Sequence, residues 1–273
     1  MTSVAIIGLG WLGRPLALHL LEGGFQVKGS TTTPEKVPGL QSKGIETALL
    51  KFFPHPEGTG FGKLFDTDVL FINIPPRSRT VPEGFYEEQI KFVKELAIQS
   101  KVEKIIFISS TSVYPDWNQK VDETFPLTVA NTGSLGIFRA EQILQSEKNY
   151  DLTIIRFGGL LGVDRIPGRY FSGKSNVTGD SPVNYIHQED AVRLSAWIIE
   201  NNLWNETFNG VAPLHPLREN VYEKNSLELG FLPPASYALE GESMWKEISS
   251  DKILSTGFRF KIPDPLDFWY KPS

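Results

Sequence analysis

The chain has no cysteine among its 273 residues, and only 2 methionines and 4 histidines. Without thiols there are no disulfides and no thiolate metal site, and a reducing, cytoplasmic setting is the expectation. No apolar stretch approaches the roughly 20 residues that span a bilayer, so no membrane partner is expected. The opening "MTSVAIIGLG" has neither a basic start nor a small-residue cleavage pattern, and reads as lacking a signal peptide. Positive charge is not in excess either. With 27 Lys and Arg against 32 Asp and Glu the formal net charge is -5, which argues against a nucleic-acid partner. What is present is a 40% hydrophobic composition, enough to bury a large core in one dominant domain with a smaller lobe.

Apolar runs rich in β-branched residues recur at "SVAII", "DVLFIN", "KIIFISS" and "LTIIRF". They are apolar on consecutive positions, as strands of a parallel sheet covered on both faces are. Helical spacing lies between them. Leu12, Leu16, His19 and Leu20 share one helix face closed by Gly23-Gly24, and Tyr86, Ile90, Val93 and Ala97 share another. Ile137, Ala140 and Leu144 mark a third helix, and Ala191, Leu194 and Ile198 a fourth. The alternation predicts an α/β protein, a Rossmann-like doubly wound parallel sheet with a smaller C-terminal substrate lobe. Residues 1–158, with a returning segment at about 183–212, are assigned to the sheet domain. Residues 159–182 and 213–273 are assigned to the lobe.

Gly8, Gly10 and Gly13 stand in G-x-G-x-x-G spacing, directly after a strand and opening a helix. The first glycine permits the tight turn, the second lets the backbone approach a pyrophosphate, and the third allows helix to pack on strand. With Trp11 and Leu12 between them, these residues predict a dinucleotide site. A site for NAD usually carries an acid at the end of the second strand. Here that place reads Ser30, Thr31 and Thr32, with Lys36 and Arg14 close by. Hydroxyls and cations suit a 2′-phosphate, so NADP is expected, with NAD as the alternative. On this reading an acid at Ser30 would turn the preference toward NADH.

The segment "GLGWLGRPLALHLLEGGFQV…TTTPEK" is similar to the opening of the β-hydroxyacid dehydrogenases, which include 6-phosphogluconate dehydrogenase, up to the second strand. A longer resemblance links the chain to the extended and atypical short-chain dehydrogenase/reductases, the NAD-dependent epimerase/dehydratase group. It rests on "KIIFISSTSVYPD", "VDETFPLTV", "IIRFGGLLG", "VNYIHQEDAVR" and "WKEISSDKILSTGFRFKIPD", in that order. The resemblance implies that Asn73, Ile74 and Pro75 pass beside the nicotinamide ribose, with Ser109 also at the cofactor. It implies that Ser110 is the active-site hydroxyl.

That family's proton donor is a Tyr with a Lys four residues later. Aligned through "AEQIL", those places hold Gly133 and Ile137, neither of which transfers a proton. Tyr114 and His187 are therefore the candidate donors beside Ser110. Thr111, Ser112, Arg139, Arg156 and Arg165 are candidates for a polar or anionic substrate. Tyr170 and Lys174 match the bare Tyr-x-x-x-Lys pattern, but Gly173 and the nearby Pro167-Gly168 mark a loop. His19 shares an apolar helix face and reads as a core residue. No metal site is expected. The readings that stand are an NAD(P)-binding reductase or epimerase on a nucleotide-sugar or other polar small-molecule substrate, a non-catalytic NADP(H) sensor or scaffold, and a β-hydroxyacid dehydrogenase. A monomer or homodimer fits any of them.

Overall fold

The computed structural model describes residues 1–76 and 80–270. Its first half alternates strand and helix: β1 (Ser3–Ile7), α1 (Gly13–Glu22), β2 (Gln26–Thr31), α2 (Val37–Gln41), β3 (Glu46–Phe52), β4 (Pro56–Thr59), β5 (Val69–Ile72) and α3 (Phe85–Gln99). Then come β6 (Lys104–Ser110), β7 (Gln119–Val121), α4 (Leu135–Gln145), β8 (Asp151–Phe157), β9 (Gly159–Leu161), α5 (Pro167–Phe171) and β10 (Tyr185–His187). The chain ends with α6 (Gln188–Glu200), β11 (Thr207–Gly210), α7 (Arg218–Leu229), β12 (Lys246–Ile248) and α8 (Asp251–Ser255).

Eight strands form one sheet in the order β11-β8-β6-β5-β1-β2-β3-β4. Pairs β1/β2, β1/β5, β2/β3 and β5/β6 are parallel, and β4 adds an antiparallel edge on β3. The reason for two-sided burial is visible in β1. Ala5 and Ile7 join the cluster of Leu70, Ile72, Ile90 and Val93 under α3, while Val4 and Ile6, pointing to the other face, are buried just as fully. The β1/β5 junction is where the strand order reverses, the place where doubly wound sheets open a ligand crevice.

The strand pattern of the sequence missed β3 and β4, whose mixed Glu, Lys and Pro content hides them at the sheet edge. His19 is half-buried rather than a core residue. Tyr170 lies in the short helix α5 and not in a loop, although Lys174 does fall beyond the helix end, where Gly173 turns the chain at φ +68.

The chain divides into two compact units. The first holds Met1–Val113, Ser134–Arg156 and Ser195–Thr207; the second holds Tyr114–Gly133, Phe157–Leu194 and the chain from Phe208 onward. The second unit contains two small parallel pairs, β9/β10 and β7/β12. Among the described residues, no helix is long and apolar enough to cross a membrane.

Candidate functional site

In the first unit the glycine loop leaves β1 at the reversal point. Gly8 has φ +109, and a Cβ there would lie 2.6 Å from the Asn73 carbonyl oxygen, so only glycine fits without strain. A Cβ on Gly13 would lie 2.2 Å from the Gly8 oxygen and 3.1 Å from an Ile6 methyl, which is the close helix-on-strand contact the spacing anticipates. Gly10 is different. It is exposed, and a Cβ there would meet nothing within 4 Å. The space over Gly10, at the start of the ten-residue helix α1, is therefore an open cradle. Leu12 is buried and Trp11 half-buried beside it.

The hydroxyls after the loop have divided roles. The Gly8 N–H donates to Ser30 Oγ at 3.0 Å, and Ser30 is only 3% exposed. Asn73 Nδ2 donates to the Gly8 carbonyl at 3.1 Å. Thr31 Oγ1 accepts from the Thr33 N–H at 3.2 Å at the very end of β2. Thr32, Arg14 and Lys36 are exposed. Ser30 is thus buried against the glycine turn, with its hydroxyl oxygen taken by the Gly8 N–H.

At the β6 end, Ser110 is half-buried and its Oγ accepts from the Ser112 N–H at 3.1 Å; Thr111 is buried and Ser112 exposed. Ser109 is spent inside. Its hydroxyl donates to Glu141 Oε1 at 2.5 Å, and Arg156 donates to the same carboxylate through Nε at 3.0 Å and Nη2 at 2.7 Å. Arg156 is 6% exposed and Glu141 1% exposed. Arg156 is thus an internal ion pair and not a substrate arginine, because a buried guanidinium must be neutralised where it sits. Arg139 is half-exposed, 3.8 Å from Glu83 and 3.9 Å from Glu87. Ile137 packs against the core cluster, as does Ile74, whose carbonyl accepts from the Tyr86 hydroxyl at 3.1 Å; Pro75 is exposed.

The second unit holds the other candidates. Tyr114 is fully buried, and its hydroxyl donates to Asn209 Oδ1 at 3.0 Å. A phenol enclosed this way meets no substrate, so Tyr114 is corrected from donor to core residue. Asn209 in turn donates its Nδ2 to the Ser249 carbonyl, and its N–H to Glu123, whose carboxyl burial pushes above the usual range. His187 is 4% exposed. Its Nδ1 accepts from the Glu189 N–H at 3.3 Å in the first turn of α6, so Nε2 carries the proton it shares with the Trp269 carbonyl at 3.1 Å. Burial holds its pKa below the ordinary imidazole value. With both nitrogens engaged, His187 is corrected to a structural residue.

Three residues on, Asp190 is wholly buried and accepts from the Lys261 and Ile262 N–H groups at 2.8 Å and from Arg193 at 2.7 Å. The "IHQED" run therefore fastens the C-terminal segment. Arg165 is exposed on the turn after β9. Sequence reasoning missed Glu141 and Asp190 as organisers; their signal was a carboxylate at an otherwise apolar helix face.

These features define a dinucleotide-binding Rossmann fold, and comparison with known proteins supports that class. The profile of the NAD binding domain of 6-phosphogluconate dehydrogenase matches residues 3–123. That likeness runs well past the second strand, where the sequence reading had ended it. Among solved structures, MoeE5 in complex with UDP-glucuronic acid and NAD aligns with TM-score 0.77 at 16% identity, over 97% of this chain and 96% of that one. Human epimerase family protein SDR39U1 with NADPH aligns with TM-score 0.71 at 17% identity, over 96% of each chain. The fold is that of the NAD(P)-binding epimerase and short-chain dehydrogenase group. Protein YeeZ of Escherichia coli (strain K12) is 35% identical over 270 residues, 97% of this chain and 98% of its own length. The chain belongs to the YeeZ family.

Proposed function

We propose that this protein is an NADP(H)-binding reductase or epimerase acting on a polar small molecule, of which a nucleotide sugar is the model. The observation that carries the reading is the glycine cradle at the strand-order reversal, with open space over Gly10. The residues fit a dinucleotide. Gly10 and the start of α1 would hold the diphosphate, and exposed Thr32, Arg14 and Lys36 would meet a 2′-phosphate. A nicotinamide bound there supplies hydride chemistry; the chain's own contribution is to bind, orient and exclude water. Ser110, whose oxygen already accepts a backbone N–H and whose proton is left to donate, is our candidate active-site hydroxyl. Thr111, Ser112 and Arg139 are our candidates for the substrate side in the first unit, and Arg165 stays a candidate within the second unit alone.

The experiment is a thermal shift with each cofactor. NADPH should raise Tm more than NADH at equal concentration; a ligand at 100 times its Kd adds about 2.7 kcal/mol of stability over the ligand-free protein. An equal or larger shift with NADH overturns the NADP choice. Because Thr31 ends β2, Thr31→Asp is the variant expected to favour NADH.

A second reading has support of its own. Gly133 and Ile137 occupy the aligned Tyr and Lys positions, and both substitute donors, Tyr114 and His187, are engaged inside the protein. On this reading the chain senses NADP(H) without turnover. General acid–base help is worth roughly 10²–10⁴-fold, so its absence leaves slow chemistry or none. Tight NADPH binding with no oxidation across carbonyl and nucleotide-sugar panels would select the sensor; NADPH consumption lost in Ser110→Ala would select the enzyme.

A further inference from the structure

Gly8 is tied at both of its backbone polar groups, and each tie comes from a different strand end. Its N–H donates to Ser30 Oγ on β2 at 3.0 Å, and its carbonyl accepts from Asn73 Nδ2 just beyond β5 at 3.1 Å. Backbone bonds run in the same two directions. The Leu9 N–H donates to the Ser30 carbonyl at 2.7 Å, and the Asn73 N–H to the Ile7 carbonyl at 3.0 Å. The glycine between them sits at φ +109, a region that the unconstrained chain leaves readily. Two side chains thus hold the one residue whose conformation turns the strand into the phosphate cradle.

We infer that Ser30 and Asn73 are positioning residues that preset the glycine loop for the diphosphate, and that neither contacts the 2′ end of the cofactor. The inference rests on the dinucleotide reading above and deepens it. The reasoning is one of populations. A ligand's apparent affinity is its intrinsic affinity scaled by the fraction of molecules already in the competent conformation. Loosening the clamp lowers that fraction for any ligand using the diphosphate cradle, whatever its far end carries. The loss must therefore be the same factor for NADPH, NADH and ADP. A residue reading the 2′-phosphate would behave otherwise, since its removal would touch NADPH alone.

Each clamp bond, once broken, leaves a backbone group without its partner, and a penalty of that kind corresponds to about ten-fold in a population. Asn73→Asp should be worse than Asn73→Ala, because a carboxylate would then face the Gly8 carbonyl at hydrogen-bond distance.

The test is calorimetric titration of Ser30→Ala, Asn73→Ala and Asn73→Asp with NADPH, NADH and ADP, alongside amide exchange at Gly8 without ligand. The expected result is an equal loss of about ten-fold for the three ligands in each alanine variant, a larger one in Asn73→Asp, and faster Gly8 exchange in Ser30→Ala. Unchanged affinities, or a loss confined to NADPH, overturn it. Should the variants fold poorly, the wild type still decides: a Gly8 amide that exchanges as fast as an open loop overturns the clamp. Failure of the wild type to bind any of the three ligands refutes the cofactor reading instead, and is seen before a variant is made.

Discussion

The glycine loop and the "IHQED" run are both short, both marked by family resemblance, and built on opposite principles. Around Gly8, Gly10 and Gly13 the absence of side chains creates the feature: backbone approaches backbone at distances no Cβ tolerates, and an open space remains over Gly10. Around His187 and Asp190 side chains fill everything. Both imidazole nitrogens and both carboxylate oxygens are engaged, and the result is a fastening for the C-terminal segment. A motif of glycines leaves room for a ligand, whereas a motif of polar residues can use up its own chemistry in holding the chain. The same contrast sets Ser110, still half-open at its strand end, against its neighbour Ser109, committed to Glu141.

The most severe way to break that contrast is at the committed carboxylate. Glu141→Ala leaves Arg156 charged, buried and without its bidentate partner, and removes the acceptor of Ser109. Breaking one side of a buried ion pair costs about 3–5 kcal/mol, so a urea midpoint far below wild type is expected. If Glu141→Ala were nearly neutral in stability but abolished NADPH turnover, the network would be functional and the distinction between spent and open groups would fail.

The glycines offer a sharper cut. Gly8→Ala places a Cβ 2.6 Å from a backbone oxygen at φ +109, and should cost about 1–3 kcal/mol in the ligand-free protein. Gly10→Ala meets nothing, so the ligand-free stability should stay within roughly 0.5 kcal/mol of wild type. The new methyl occupies the cradle, however, so NADPH affinity should fall in Gly10→Ala as well. Calorimetry and melting on the same two variants separate the effects. A Gly10→Ala protein that binds NADPH normally would place the diphosphate elsewhere.

His187 tests the other region by pH. Burial lowers its pKa, so the folded protein prefers the neutral ring. Its stabilising contribution is complete above the unfolded value near 6.5 and is lost as pH falls from there through the lowered folded value. The Tm gap between wild type and His187→Gln should correspond to about 1–2 kcal/mol at pH 7.5 and shrink toward pH 5. A gap that widens on acidification would mean a charged imidazole stabilises the fold. That would reopen His187 as a proton carrier.

These outcomes bear on what could be read from sequence. The parallel sheet, the four amphipathic helices and the glycine turn were legible because each is written in local period or in a residue with a unique backbone allowance. Glycine spacing announces backbone geometry directly. The hydroxyl, phenol and imidazole candidates were not legible in the same way, since residue type is silent on burial. Tyr114 and Arg156 follow strand-end and strand patterns that equally suit an active site or a core. Only the partners, Asn209 and Glu141, decide, and they lie 95 and 15 residues away in sequence. The edge pair β3/β4 escaped for a related reason: its Glu, Lys and Pro residues suit an exposed edge and leave little periodic signal.

The smallest effect expected is at Tyr170, the phenol of the bare Tyr-x-x-x-Lys match. Tyr170 is 65% exposed on α5, and Lys174 Nζ lies 3.8 Å from the centre of its ring. The ammonium therefore sits over the ring face and not beside the hydroxyl. Cation–π contact at an exposed site is worth about 0.5–1 kcal/mol and survives replacement of Tyr by Phe. Tyr170→Phe should accordingly leave Tm, NADPH affinity and any turnover within error of wild type. Tyr170→Ala, which removes the ring, should lower stability by no more than that contact. Loss of turnover in Tyr170→Phe at unchanged Tm would make this exposed phenol the missing acid.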